Sequence, residues 1–432
     1  MSDTMDVVMV GGGMITHDQL LPSIYQLQRN GLVGDIKICA LNTPPLRALA
    51  ESDDLNAAFP ESSFTPFPDP AEVGPDESFP DLFQRVIAGQ DPRQIVVVAV
   101  PDQLHYRVLK VALEHDQHVL CVKPLVLQYD QAVEIEQAAH AKGLFIGVEY
   151  HKRLDDRSLL ARKRWRRGEF GEFRLGWAHL IEPWYYRESN FQNWCTCENT
   201  DMFTYIGCHY VDLVAFITGL RPASVSVYGI VDEYPNGNEG YLWTDGRVAF
   251  ENGGVLTVFN AIGYPNEAPG GNSQGMVLYG QNGHERGTII DHDDRYRGVR
   301  HSLAAGDKIY HEPNPDFMQY VPWSGEGYKP VGYGFRSVEF IVKEAIRVEE
   351  AGKCSSARSD EHFPADVSTE EAGVARRQAL LDEIDDQGLV ATPKNSSYNE
   401  LVMEAGRKSI LNAAREVTIA YGDDAGVNFR EY

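Results

Sequence analysis

The sequence predicts an α/β chain: a doubly wound parallel sheet first, then an α+β half built on a large, mostly antiparallel open sheet. Two observations carry this reading. Up to about residue 150, short apolar runs rich in β-branched residues alternate with helical stretches, as in a parallel sheet covered on both faces. From Phe173 onward the runs grow longer and are separated by Gly/Asn turns, as in strands joined by hairpins. At 432 residues the chain exceeds one ordinary core, so two domains are expected, 1–150 and 151–432.

The elements follow in order. "MDVVMV", "IKICAL", "IVVVAV", "HVLCV" and "LFIGVEY" read as the strands of the first half. Asp18 to Arg29, Gln103 to Glu114 and Tyr129 to Lys142 read as its helices. A helix from about Asp155 to Arg167 leads into the second half, and its basic end "RKRWRR" suits a helix C-terminus. There, "FRLGWAHLI", "ASVSVYGIV" and "GMVLYG" read as strands, and "RVAFENGGVLTVFNAIGY" as a hairpin turning at "ENGG". One long helix interrupts them, Asp201 to Thr218. Past Gly352 the chain turns polar, then predicts helices near Glu370 to Asp385 and Tyr398 to Tyr421. These C-terminal helices are expected to pack back on the first domain.

Composition narrows the function classes. With 39 basic and 63 acidic residues the net charge is −24, which repels phosphate backbones and anionic lipid. Nucleic acid and membranes are therefore not expected as partners. No run of 18 apolar residues is present. The opening "MSDTMDVVMVGGG" has neither a basic leader nor a cleavage-like segment, so a cytoplasmic protein is expected. Six scattered cysteines do not form a disulfide framework, and the Cys195/Cys197 pair lacks the second close pair of a zinc site. "DHDDR" near Asp291 reads as a solvated acidic loop. No metal is expected.

The chemistry begins at "VVMVGGGMITHDQL". Gly11 and Gly13 stand between a strand and a helix, where a dinucleotide fold needs a tight turn and close backbone approach to a pyrophosphate. Met14 and Ile15 open the helix, whose N-terminus supplies N–H groups. Thr16 replaces the third glycine of the fingerprint and is expected to form a capping box with Gln19. At the end of the second strand, Asn42 is the residue positioned to receive an adenosine ribose hydroxyl, with Arg47 nearby. NAD is the expected cofactor, and NADP is left open because Asn42 does not repel a 2′-phosphate.

"VVVAVPDQLHYRVLKVALEHDQHVLCVKPL" resembles the central block of the Gfo/Idh/MocA family, oxidoreductases related to glucose–fructose oxidoreductase and inositol dehydrogenase. The matching positions are Pro101 and His105, then Val122-Lys123-Pro124 in place of Glu-Lys-Pro. A second family element, Gly-x-His-x-x-Asp, appears as Gly207, His209 and Asp212. The resemblance covers roughly the first 290 residues. It implies a sugar or polyol dehydrogenase, a homo-oligomer (dimer, tetramer or higher), and Pro101, His105, Lys123 and Pro124 beside the cofactor. For His105, a packed or capping role stands equally beside a cofactor contact.

Residue chemistry agrees with the resemblance. Oxidising a secondary alcohol by hydride loss requires removal of the hydroxyl proton, and histidine titrates in the right range, so His209 is the expected general base. A cation beside the same oxygen stabilises alkoxide character, the role expected of Lys123. Two departures from the family pattern stand out. Val122 removes the carboxylate beside the lysine, and Tyr205 stands where relatives carry an Asp one turn before the histidine. Substrate contacts are expected from Lys123, His151, Arg153, Glu182, Trp184, Tyr186, Tyr205, His209 and Asp212. Asp212 has a second reading, as a group that only orients the imidazole. The segment "HLIEPWYYRESNFQNW" packs aromatics among polar residues, which suits a pyranose; an oligomer interface is the competing reading. A glucoside oxidised at C3 is the favoured substrate. Two other functions share the same pocket: a glycosidase that retains NAD, and a non-catalytic dinucleotide-binding regulator.

Overall fold

The computed structural model describes residues 4–268, 271–284, 286–293, 300–302, 309–311, 317–353 and 369–431. The chain forms two compact units, and neither is continuous in sequence. The first comprises Met1–Val126, Asp130–His151 and Met318–Asn395; the second comprises Leu127–Tyr129, Lys152–Phe317 and Ser396–Tyr432.

In the first unit, strands β1 (Met5–Val10), β2 (Val33–Cys39), β3 (Thr65–Phe67), β4 (Ile95–Val98), β5 (His118–Val122) and β6 (Ile146–Glu149) form one sheet in the order β3-β2-β1-β4-β5-β6. Every pairing is parallel. The central strands β1 and β4 are buried on both faces, which is why they read as unbroken Val/Ile/Met runs. Helix α1 spans residues 14–29; its early turns, Thr16–Leu20, are π-wound and Leu21–Arg29 is regular α-helix. Then come α2 (Pro44–Ala50), α3 (Asp53–Ala58), α4 (Leu82–Ala88), α5 (His105–Glu114) and α6 (Tyr129–Lys142). The order reverses between β1 and β4, the switch point where open α/β sheets bind ligands at their carboxyl ends.

The second unit opens with α7 (Asp156–Trp165), β7 (Glu172–Pro183) and the short α8 (Phe191–Trp194). Helix α9 spans residues 202–218, again with a π-wound start (Phe203–Gly207) before regular Cys208–Thr218. Strands β8 (Pro222–Glu233), β9 (Glu239–Phe250), β10 (Val255–Tyr264), β11 (Ser273–Asn282) and β12 (Arg286–Asp293) follow. The β9–β10 hairpin turns at Glu251–Gly254 as the "ENGG" signal predicts. Asp291 to Asp293, read from sequence as loop, end β12, while Asp294 and Arg295 lie outside the described residues. The short pair β13 (Arg300–Ser302) with β14 (Ile309–His311) comes next, and the pair β15 (Gln319–Pro322) with β16 (Tyr328–Val331) belongs to the first unit.

Back in the first unit, α10 (Tyr333–Lys353), α11 (Thr369–Gln387) and α12 (Pro393–Ser396) follow. Helix α10 is missing from the sequence expectations, although Val338, Ile341, Val342, Ala345 and Ile346 repeat at helical spacing and join the first unit's core. Its close seat depends on Gly147 in β6, where a Cβ would lie 2.6 Å from Ile341 Cγ2. The polar tract after Gly352 falls largely on residues 354–368, outside the described residues.

The chain ends in the second unit with α13 (Tyr398–Ile410), β17 (Val417–Ala420) and β18 (Gly426–Phe429). The predicted helix to Tyr421 therefore stops at Ile410. Ala413 and Ala414 take positive φ, which breaks the helix, and the β-branched run that follows pairs with β8. The second sheet runs β12-β11-β7-β10-β9-β8-β17-β18, antiparallel except for β7 with β10.

Candidate active site

In the first unit the glycine loop sits at the carboxyl end of β1. Gly11 has φ +115° and a Cβ there would lie 2.0 Å from Ala99 O, so only glycine lets the loop cross the end of β4. A Cβ on Gly13 would meet nothing within 4 Å, so the loop is open outward, beside the start of α1 at Met14 and Ile15. The expected capping box is absent. Thr16 lies inside the helix and its Oγ1 donates back to Gly11 O at 2.8 Å, bracing the turn. Gln19 turns the other way and donates to Glu149 Oε1 (2.8 Å) and Gly334 O (3.0 Å).

At the end of β2, Asn42 is half-buried. Arg47 is exposed, and its guanidinium donates to Pro70 O at 2.6 Å. Beside them Thr43 is fully buried, and its hydroxyl has no hydrogen-bond partner among the described residues. A glycine that only a close approach explains, an open loop at a helix start and an unmatched buried hydroxyl fit a dinucleotide bound at this edge.

Lys123 is half-buried and follows β5 directly, joined to Pro124 by a cis peptide bond. His105, expected beside a cofactor, is fully buried with both ring nitrogens on backbone carbonyls. Nδ1 lies 2.7 Å from Pro124 O and Nε2 lies 2.9 Å from Val100 O. These bonds tie the turn at Pro101 to the turn at Lys123–Pro124.

The carboxylate absent at Val122 is present one strand over. Glu149 stands directly opposite Val122 in the β5–β6 ladder and is buried. Its Oε2 accepts from His151 Nδ1 at 3.0 Å, and the His151 ring lies against Tyr333 with centroids 5.6 Å apart. The sequence reading named His151 but missed Gln19 and Glu149, because their contacts join residues 130 positions apart.

In the second unit α9 carries Tyr205 and His209 one turn apart. Tyr205 is half-buried and its ring meets those of Phe191 (5.0 Å) and Trp194 (5.5 Å); Tyr186 stacks on Phe191 at 5.5 Å. Trp184 is 43% exposed, and the buried Arg187 guanidinium lies over its ring at 3.8 Å. Arg187 is itself held by Asp232 (2.7 Å) and Ile262 O (2.9 Å). Glu182 accepts a long bond from Asn272, 3.4 Å. Gly207 is needed in the π-wound turn, since a Cβ there would lie 2.7 Å from Asn260 Oδ1. Lys152, missed from sequence, is buried with its ammonium on Gln274 Oε1 and 5.0 Å from the Tyr210 ring, next to His209.

Arg153 and Asp212, two of the expected substrate contacts, meet each other. Arg153 and Asp212 form a buried bidentate pair (Nε–Oδ2 2.8 Å, Nη2–Oδ1 2.6 Å), and Tyr398 and Asn399 donate to the same carboxylate. Burial, then the Asp212 charge, push the Tyr398 phenol well above its ordinary range, so it stays a donor. These contacts tie α9 to Arg153 and to Tyr398 and Asn399 of α13. Asp201, four residues before Tyr205, caps the helix through Thr204 N at 2.8 Å; burial raises its carboxyl above the usual range.

Residues 5–150 match the family model described as oxidoreductase family, NAD-binding Rossmann fold, and residues 159–285 match the GFO/IDH/MocA C-terminal domain. The chain belongs to the Gfo/Idh/MocA oxidoreductase family. Its cofactor is NAD, by the match of its first domain. Among curated members, an uncharacterized oxidoreductase of Schizosaccharomyces pombe is 29% identical over 133 residues, 31% of this chain and 36% of that one. The D-glucoside 3-dehydrogenase of Escherichia coli is 27% identical over 185 residues, 38% of this chain and 50% of that one. The matches thus span a third to a half of these relatives. Among solved structures, an inositol dehydrogenase homolog from Azotobacter vinelandii complexed with NAD+ covers 96% of this chain and 98% of its own, with TM-score 0.61 and 16% identity. At that identity the likeness is one of fold.

Proposed function

We propose that this Gfo/Idh/MocA member oxidises a ring secondary hydroxyl of a sugar, glycoside or cyclic polyol to a ketone, with a glucoside oxidised at C3 as the favoured substrate. The observation that carries the reading is helix α9, which sets His209 one turn from Tyr205 at the edge of the Tyr186–Phe191–Trp194 aromatic cluster. Aromatic faces take the C–H faces of a pyranose, while a histidine handles a hydroxyl proton at neutral pH. The partial match to a D-glucoside 3-dehydrogenase supports the same substrate class.

Bound NAD supplies the hydride acceptor. Lys123, at the carboxyl end of β5, is assigned the cation that stabilises negative charge on the reacting oxygen. His209 is assigned the general base. Tyr205 donates a hydrogen bond to a substrate hydroxyl, replacing the carboxylate that relatives place there. Gly11, Gly13, Met14 and Ile15 hold the pyrophosphate on backbone N–H groups, and Asn42 holds the adenosine ribose.

The test is a screen of sugars and glycosides with NAD and NADP at mildly alkaline pH, read by reduced-cofactor absorbance, with K123A and H209A run beside the parent. Each variant is expected to lose about 100-fold or more in kcat/KM. Near-full activity in both sinks the assignment. Turnover of a glycoside without added NAD or net reduction points to an NAD-retaining glycosidase, and cofactor binding with no turnover to a regulator.

We also propose a homo-oligomer formed through the second sheet. Ile289, Tyr279 and Leu175 lie in register across β12, β11 and β7, each about half exposed, and Phe259, Tyr228 and Ile230 extend the same apolar character over β10 and β8. A run of large apolar side chains on an open sheet face marks an association surface.

A further inference from the structure

Asn42, the residue assigned to the adenosine ribose, lies between two points at which one acidic segment is fastened. Residues 68–80 carry Asp69, Glu72, Asp76 and Glu77 and no basic residue. Near the start of the segment, Pro70 O accepts from Arg47 Nη2 at 2.6 Å; near its end, Phe79 N donates to Leu41 O at 2.8 Å. Leu41 and Arg47 flank Asn42 in the chain, so the segment is tied down on both sides of it. All four carboxylates are exposed, and among the described residues none meets a cation. The next acid, Asp81, is engaged by Arg107. Arg47 is the one Lys or Arg from residue 40 to residue 84. That a nucleotide binds at this edge stands on other grounds. Residues 5–150 match an NAD-binding domain, and Thr43, directly after Asn42, is fully buried with a hydroxyl that has no hydrogen-bond partner among the described residues.

NAD and NADP differ by the 2′-phosphate on that ribose, a group carrying about −1.5 to −2 charge near pH 7. A site accepts such a group with a cation or refuses it with negative charge. Asn42 is neutral and does neither. The one cation at hand is committed to Pro70 O, and the segment it holds brings four carboxylates with it. We propose that residues 68–80 select NAD over NADP: their carboxylates repel a 2′-phosphate at Asn42, and Arg47 fastens the segment instead of receiving that phosphate. The inference rests on the placement of the ribose at Asn42. Exposed charges within a Debye length, about 10 Å at 0.1 M salt, still act on one another, so this selection is electrostatic and weakens with salt.

Titration calorimetry of the full chain with NAD and with NADP tests this without turnover. The parent is expected to bind NAD about tenfold or more tightly than NADP, and added salt to narrow the gap by strengthening NADP, since screening weakens repulsion. The variant D69N/E72Q/D76N/E77Q removes the four charges. Its new amides keep the side-chain oxygens that accept from Ala71 N (2.8 Å) and Gly74 N (3.1 Å), so the turns are retained. It is expected to gain about tenfold in NADP affinity, with NAD within about twofold of the parent. R47A is expected to bind NADP no more weakly than the parent does. Equal affinities in the parent, an unimproved NADP affinity in the neutralised variant, an equal gain for both cofactors, or a clear loss of NADP binding in R47A each overturns the proposal. Failure of the ribose placement shows separately. The placement expects N42A to lose about fivefold in NAD affinity; an N42A that binds NAD as the parent does removes the placement, and the selection argued from it falls too.

Discussion

At the scale of single residues, the largest difference between expectation and structure is the fate of charge. Arg153 and Asp212 look from the sequence like ligands for a sugar, yet they are bound to one another at 3% and 1% side-chain exposure. Removing one member leaves the other charged and buried without its counter-charge, which costs about 3–5 kcal/mol. Asp212→Asn is therefore expected to lower the denaturation midpoint markedly. The double variant Arg153→Met/Asp212→Leu is expected to be less damaging than either single change, because no lone charge remains. Chemical denaturation of the four proteins checks both, and a double variant worse than the sum of the singles counts against the account. Two other singular residues, Gly11 and Gly207, were legible from motif spacing. The reasons they are glycine, the Ala99 carbonyl and the Asn260 side chain, were not.

At the scale of elements, α10 decides how the first unit is finished. Its Glu349 lies 3.7 Å from the fully buried His118 of β5, 3.7 Å from Arg93 and 3.1 Å from Arg377 of α11. Burial holds the His118 imidazole below its ordinary value of 6.5. For Glu349 burial acts upward, but His118 and Arg377 outweigh it and hold the carboxyl below its ordinary 4.5. Both shifts have the same consequence. Below pH 6.5 the unfolded chain takes up a proton on His118 that the folded chain refuses, and below 4.5 the same holds for Glu349. Stability conferred by this cluster is complete above pH 6.5 and falls in two steps as pH drops. Thermal melts from about pH 3 to about pH 8 should show the fall. His118→Gln is expected to flatten the upper step, and an unchanged upper step would show that His118 is not its source.

At the scale of the whole molecule, the discontinuous units carry two predictions. A fragment of residues 1–151 has the whole parallel sheet yet lacks Val338, Ile341, Val342 and Ala345, which close its core. It is expected to expose that face and aggregate, whereas the full chain does not; light scattering and near-UV circular dichroism distinguish the two. Leu175→Glu with Tyr279→Glu, on the open face of the second sheet, is expected to lower the solution mass measured by multi-angle scattering while leaving the far-UV spectrum intact. An unchanged mass places any assembly on another face. Much of the architecture was open to reading from local pattern. The period of apolar residues marks β5 and α6 at their observed limits, the Gly11–Gly13 loop marks the dinucleotide edge, and "ENGG" marks the hairpin between β9 and β10. The sequence by itself therefore determined the fold class, the alternation of strand and helix in the first half and the family, because period, turn chemistry and motif spacing are properties of short stretches of chain. Only the tertiary structure decided that α10 belongs to the first unit, that Arg153 closes on Asp212 59 residues away, and that Glu149 stands opposite Val122. Such pairings depend on which faces dock and in what register, and that choice is made by packing between distant segments rather than by any local repeat.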